Sequence, residues 1–261
     1  MDGASGVIAL VLAETAVGTA AVTWLTGLWG NVKRGFFILT TVTALGCALL
    51  AAFSAAVAGR AGPGGARAAV VWGSVVSALL ALSLVSLVLR QLPAARLFGL
   101  LSLPAGAVLL FGLATLGDRA TALAAIDLVA GAAFMGAVMG GLLLGHWYLV
   151  DRRLARSHIK RLALILLGSI VVEAAVLAAG GTRGGIAPTG GFGPLITATG
   201  GSVWLVLVLG MVALTALLAV LIKMTLAEDR PRSVQAATGF FYLAVITAFT
   251  AELAAKVRFL E

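Results

Sequence analysis

Long apolar runs, each bounded by charged residues, glycine or proline, recur along the whole chain. A helix rises about 1.5 Å per residue, so a run of about 20 apolar residues crosses the roughly 30 Å hydrocarbon core of a bilayer. The pattern predicts an all-α, polytopic membrane protein, a bundle of about eight transmembrane helices. The predicted spans are about 7–29, 36–58, 69–89, 97–117, 122–148, 162–179, 202–225 and 237–255.

The composition agrees with this pattern. Of 261 residues, 61% are hydrophobic and 11% are charged, whereas about a quarter of the residues in a soluble domain are charged. This excludes a soluble globular protein and favours a single integral membrane domain over residues 1–261.

The distribution of basic residues predicts the orientation. The first, third, fifth and seventh connections hold twelve Lys and Arg residues, and the other connections with the C-terminal tail hold six. Basic connections stay in the cytoplasm, so both termini are predicted to be extracytoplasmic, in the inner or plasma membrane. Orientation also explains the net charge of +8 without nucleic acid as a partner. The fifth connection, 151–161, holds five basic residues, which either touch anionic membrane lipids or dock an acidic partner.

A repeated spacing indicates two possible halves, 7–117 and 122–255. Glu14 is followed by glycine four and thirteen residues later, and Asp127 is followed by glycine at the same distances. Four predicted helices separate the two, as a parallel four-plus-four repeat requires. Chance coincidence remains open, because glycine is common in membrane helices.

Four acidic residues, Glu14, Asp127, Glu173 and Glu252, lie within predicted spans. Carboxylates are costly in lipid, and they usually face the bundle interior and mark a proton, ion or substrate site. The predicted topology places all four in the outer half of the membrane. We expect Glu14, Asp127 and Glu173 to accept protons and Glu252 to bind a ligand. Alternatively, Asp127 and Glu252 reach the interface by snorkelling, or Glu252 forms an exposed pair with Lys256 one turn away.

The fifth predicted helix carries overlapping G-x-x-x-G spacings over 136–145, which allow another helix to approach closely. It ends in His146, the only histidine in a predicted span. His146 either binds a quinone head group or relays a proton, or it is a polar cap satisfied by backbone or water.

Cofactor chemistry is restricted by the few ligand residues. A second histidine, His158, lies in a predicted loop, and Cys47 is the only cysteine, so neither a bis-histidine haem nor an iron–sulfur cluster is expected. No metal is predicted, and a quinone is the one possible cofactor. No hydrolase or nucleotide-binding motif is present, so any enzymatic role is at most that of a quinone-interacting subunit.

The chain resembles the NrfD-like family, the membrane-anchor subunits of dimethyl sulfoxide reductase and polysulfide reductase type. The resemblance rests on eight helices with both termini outside and on two segments, 134–145 (FMGAVMGGLLLG) and 251–259 (AELAAKVRF). It implies two four-helix halves, a quinol site toward the extracytoplasmic face, and partner subunits that carry iron–sulfur and catalytic centres. Dimethyl sulfoxide reductase anchors have a histidine near the outer end of the second helix, and residues 55–67 contain none.

Three functions follow from these patterns. The first is an integral subunit of a respiratory or other oxidoreductase complex that binds quinone or quinol near its extracytoplasmic face. The second is a small proton- or cation-coupled transporter that uses the same carboxylates. The third is a structural or assembly subunit without chemistry of its own. The glycine-rich connection 180–201 is a lid, a partner contact or a linker in each of them.

Overall fold

The structure is a computed structural model that describes residues 3–30, 32–59, 66–115, 120–151, 154–181, 201–228, 230 and 232–259. Over these residues it contains eight α-helices and no strand. The helices are α1 (Gly3–Leu28), α2 (Arg34–Gly59), α3 (Ala66–Val88), α4 (Leu92–Ala114), α5 (Thr121–Val150), α6 (Ser157–Gly181), α7 (Gly201–Ala227) and α8 (Ser233–Phe259). All eight are long and apolar enough to cross a membrane. The predicted all-α, polytopic fold is confirmed.

Every helix is longer than its predicted span, and three of them extend four or more residues beyond it into segments that contain charged residues. Helix α4 begins at Leu92, α6 begins at Ser157, and α8 extends to Phe259. Charged residues interrupt the apolar runs at these places, but they do not interrupt the backbone hydrogen bonds of a helix. The predicted loop over 151–161 is therefore wrong in its second half, which is the first turn of α6. The glycine-rich connection lies largely at 182–200, outside the described residues.

Part of that first turn packs inside the protein. The ring of His158 is buried and stacks on Trp29 at the end of α1, with 5.9 Å between centroids. The guanidinium of Arg161 lies 5.5 Å from the Trp29 ring centroid, a cation–π distance. These contacts join α1 to α6 at the end of the bundle where the predicted cytoplasmic connections lie. We call this the basic end.

The helices are arranged as two rings of four. In the first ring, α1 packs against α2, α2 against α3, α3 against α4, and α4 against α1. In the second ring, α5 to α8 contact one another in the same cyclic order. The buried apolar side chains form two main clusters, one chiefly within each ring.

The two rings meet mainly along α1 and α5, with flanking contacts of α4 to α5 and of α1 to α8. If α1 is exchanged with α5 and α4 with α8, the contact between α4 and α5 becomes the contact between α8 and α1, and the reverse also holds. A four-plus-four repeat would produce this arrangement, and the repeat itself stays a prediction.

Glycines bring α1 and α5 together. A Cβ atom on Gly18 would overlap the carbonyl oxygen of Ala132, and a Cβ atom on Gly136 would overlap the backbone of Gly18. Further along α5, Gly140 accommodates Val22 of α1, and Gly141 accommodates Phe241 of α8. Helix α5 thus lies at the centre of the bundle, and its glycines are the positions of closest helix approach.

Candidate site: a buried lysine among four carboxylates

The four intramembrane carboxylates come from four helices, and the fold brings them to one place. Glu14 lies on α1, Asp127 on α5, Glu173 on α6 and Glu252 on α8. Each side chain is buried within the bundle, the most exposed being Asp127 at 6%. The snorkelling alternative for Asp127 and Glu252 is therefore wrong, because neither side chain reaches the surface.

Lys256 lies at the centre of this group and is fully buried. Its Nζ is 2.9 Å from Oε1 of Glu14, 2.9 Å from Oδ1 of Asp127, where it donates a hydrogen bond, and 3.5 Å from Oε2 of Glu252. One ammonium group thus pairs with carboxylates from three helices. We call Lys256 and the four carboxylates the Lys256 cluster.

Local sequence explains two of these contacts. Glu252 and Lys256 are four residues apart on α8, and this spacing places both side chains on the same face of the helix. Glu14 points across to α5 because Gly131 leaves room for it: a Cβ atom on Gly131 would lie 2.6 Å from Oε1 of Glu14. Gly131 is one of the glycines at matched spacing after Glu14 and Asp127. It follows Asp127 in the second half of the chain and makes room for the carboxylate of Glu14 from the first half.

Glu173 completes the cluster from α6. Its carboxyl group adjoins that of Glu252. Both Glu173 oxygens are buried and lack a well-oriented hydrogen bond to the residues that the structure describes. Two neighbouring carboxyl groups can be joined by a shared proton, since a protonated one donates to the other.

A pair of hydroxyl groups connects α7 and α8 on the side of the cluster that faces the basic end. Thr215 of α7 and Thr247 of α8 are buried, and their hydroxyl oxygens are 2.7 Å apart. Near the cluster, the indole Nε1 of Trp204 on α7 donates to the carbonyl oxygen of Ala254 on α8 at 3.2 Å. These bonds hold α7 against the segment that carries Glu252 and Lys256.

Lys256 is the site residue that sequence reasoning missed. The apolar pattern ends the last span near residue 255 and places Lys256 in the C-terminal tail, whereas α8 continues past Lys256 and buries it. The exposed Glu252–Lys256 pair is wrong for the same reason, although its spacing was the available signal. A lysine one turn from a glutamate at the end of an apolar run is compatible with either environment, and only the neighbouring helices distinguish them.

His146 does not belong to the cluster. It lies nineteen residues after Asp127 on α5, so the two are roughly 28 Å apart along the helix axis. His146 is exposed on the surface of the bundle, and its Nδ1 is 3.4 Å from the hydroxyl of Tyr242, which is also exposed. His146 and Glu252, both predicted to bind a ligand, are thus at different levels of the membrane and do not form one site.

Over the described residues, no group of three or more His, Cys, Asp or Glu side chains has the geometry of a metal site. The positive charge among the carboxylates is supplied by Lys256. Comparison of the chain with protein-family models, with curated proteins and with solved structures gave no match. The resemblance to the NrfD-like family remains a prediction from the sequence.

Proposed function

We propose that the protein is a membrane subunit of an oxidoreductase complex in which the Lys256 cluster accepts protons from a quinol near the extracytoplasmic face. The observation that carries this proposal is the burial of four carboxyl groups around one ammonium group inside a transmembrane bundle. Oxidation of a quinol to a quinone releases two electrons and two protons. The electrons would pass to redox centres in partner subunits, and the carboxylates would take the protons.

The charge balance of the cluster supports proton binding. If every carboxyl group were ionised, the five side chains would carry a net charge of −3. Uncompensated charge in a buried site costs several kcal/mol per ion, so the cluster requires protons or another cation for balance. Glu173 is the best candidate for a reversible proton, because its carboxyl group adjoins that of Glu252 and is not one of the three that pair with Lys256 at 2.9 to 3.5 Å.

The packing between the rings favours exchange toward one end. One turn from Glu14, the backbone of Gly18 meets that of α5, and this close crossing closes the direct route between α1 and α5 toward the basic end. Protons would therefore leave toward the end where α1 and α5 begin. In the predicted topology this end is extracytoplasmic, the side on which the resemblance to the NrfD-like family implies a quinol site.

Proton- or cation-coupled transport is the second candidate. It is favoured by the position of the cluster between the two rings, to which the first ring contributes Glu14 and the second contributes the other four residues. Transporters built from repeats commonly bind their coupling ion at the interface between the repeats. Transport would require the close crossing at Gly18 to open during each cycle, whereas quinol oxidation would not.

The test combines purification with one matched pair of variants. The native protein is extracted in a mild detergent, and its companion polypeptides and isoprenoid quinones are identified by mass spectrometry. Quinol-dependent electron flow is then measured in membranes containing Glu173→Gln or Glu228→Gln. Glu228 is an exposed control between α7 and α8. Glutamine keeps the shape of the side chain but cannot accept a proton, so we expect a loss of about a hundredfold at position 173 and none at position 228.

The outcomes separate the three functions. Redox partners, bound quinone and a defect confined to Glu173→Gln, with unchanged abundance of the folded protein, support the proposal. A lone polypeptide without quinone overturns it; proton uptake in proteoliposomes that Glu173→Gln abolishes would then indicate transport. Loss of the folded protein in Glu173→Gln, with no proton uptake by the wild type, would indicate a structural role.

A further inference from the structure

A pocket opens at the basic end, far from the Lys256 cluster. It has a volume of about 420 Å³ and lies between the end of α5, the connection to α6 and the beginning of α8. Its polar lining includes two arginines, Arg156 and Arg232, together with Gln235. Two arginines from different connections therefore line one cavity.

The fold holds the connection beside the pocket in place. The hydroxyl of Tyr148 at the end of α5 donates to the carbonyl oxygen of Ala155, the residue before Arg156. The ring of Tyr148 also lines the pocket. Arg156 is thereby attached to a short, fastened segment, while Arg232 immediately precedes α8. The pocket is thus formed by the ends of packed helices.

The electrostatic environment favours an anion. Among the described residues that line the pocket, two are basic and none is acidic. Guanidinium groups match the oxygen geometry of a phosphate and bind it with charge-assisted hydrogen bonds. A phosphate group is the anion that two arginines lining one pocket at a membrane surface suit best.

The remaining lining is apolar and faces the bilayer. Leu154 and Val234 are buried in the wall of the pocket, and Leu149 is 44% exposed. The span of α5 ends at Val150, next to Leu149, and the span of α8 begins at Ser233. The pocket therefore lies at the level of the lipid head groups, with an apolar wall that continues onto the lipid-facing surface of α5.

We propose that this pocket binds the phosphate of an anionic phospholipid, with Arg156 and Arg232 pairing with the head group and the acyl chains lying along the exposed apolar surface beside Leu149. A free phosphate has the same charge chemistry but no use for the apolar wall, and so the lipid is the source that the pocket fits. This site is independent of the Lys256 cluster.

The full chain is tested in nanodiscs of phosphatidylcholine with and without phosphatidylglycerol, and retained lipids are counted by native mass spectrometry after release into detergent. The double variant Arg156→Gln/Arg232→Gln is compared with Arg96→Gln/Lys223→Gln. The control removes two exposed charges from the same end of the bundle but outside the pocket. A charge-assisted hydrogen bond to the phosphate contributes on the order of a tenfold gain in affinity, and only the two pocket arginines would form one. We therefore expect about a tenfold or greater loss of retained phosphatidylglycerol in the pocket variant and a smaller loss in the control.

Equal loss in both double variants would reduce the effect to the general charge of this end and overturn the proposal. A site saturated by millimolar inorganic phosphate, with no preference for phosphatidylglycerol, would make it a free-phosphate site and also overturn the lipid assignment. If the double variant is not recovered as folded protein, Arg232→Gln alone provides the comparison with Arg96→Gln, because Arg232 is exposed and precedes α8.

Discussion

The Nζ of Lys256 lies 2.9 Å from Oδ1 of Asp127, although 129 positions separate the two residues in the chain. The bond joins the last helix to the beginning of α5, and the same ammonium group reaches Glu14 of α1. One side chain therefore links the two rings of the bundle. Within the second ring it links the first helix, α5, to the last, α8. This arrangement makes Lys256 the residue on which the stability of the cluster depends most.

Replacement of Lys256 by methionine should strongly destabilise the protein. Methionine fills a similar volume but leaves the buried carboxylates without their cation, and breaking a buried ion pair in this way costs about 3 to 5 kcal/mol. We expect a large fall in the thermal midpoint of the detergent-solubilised protein. Lys223→Met, at an exposed position on α7, should have little effect. A Lys256→Met variant with the same thermal midpoint as the wild type would contradict the buried ion pairs of Lys256.

A second substitution should recover part of that loss. Asp127→Asn removes one negative charge that Lys256 balances, so its combination with Lys256→Met should be more stable than Lys256→Met alone. The double-mutant cycle over the two positions should give a coupling energy of roughly 1 to 3 kcal/mol. Additive effects of the two substitutions would mean that the residues do not interact.

Gly18→Ala should disturb the contact between the rings. The added methyl group would overlap the carbonyl oxygen of Ala132, so α1 and α5 must separate, at a cost of about 1 to 3 kcal/mol. Gly46→Ala is the matched control, because a Cβ atom there meets nothing within 4 Å and alanine favours a helix over glycine by about 1 kcal/mol. The thermal midpoints of the two variants should shift in opposite directions. An unchanged midpoint in Gly18→Ala would show that α1 and α5 do not cross as closely as the overlap of that Cβ position with Ala132 implies.

The hydroxyl pair between α7 and α8 should contribute a small, measurable coupling. Thr215→Val and Thr247→Val each keep the shape of the side chain and remove one partner of the 2.7 Å hydrogen bond. Hydrogen bonds between membrane helices average about 0.6 kcal/mol in double-mutant cycles, and we expect a coupling of that size. Thr250→Val should lack coupling to Thr215, because Thr250 is exposed and bonds to Ile246 of its own helix. Equal coupling in both cycles would remove the evidence for a specific bond.

The orientation of the chain can be read with reporter fusions. The excess of basic residues in alternate connections predicts that both termini are extracytoplasmic. Alkaline phosphatase fused after residue 261 should be active, and a fusion after Glu228, in a predicted cytoplasmic connection, should be inactive. Green fluorescent protein at the same positions should show the reverse pattern. The opposite result at both sites would invert the topology and place the Lys256 cluster near the cytoplasm.

The sequence was sufficient for the number and type of helices, because the length of an apolar run and the thickness of the bilayer are local quantities. It also predicted that the four intramembrane acids are special, since the cost of placing a carboxylate in lipid does not depend on its neighbours. It failed at Lys256, His158 and Arg161. A basic residue near the end of an apolar run either snorkels to the surface or finds a buried partner, and the partner lies on another helix.

The sequence by itself therefore determined a bundle of eight membrane helices, with acids inside and basic connections at one end. The tertiary structure decided that the acids meet and that Lys256 lies among them. It also decided that His146 is exposed on the bundle surface, near the end opposite to the Lys256 cluster. Helix formation in a bilayer is set by hydropathy and backbone hydrogen bonding within each segment. Which faces meet is set by the packing of small residues such as Gly18, Gly131 and Gly136 against particular surfaces of other helices, and that packing is a property of the assembled bundle alone.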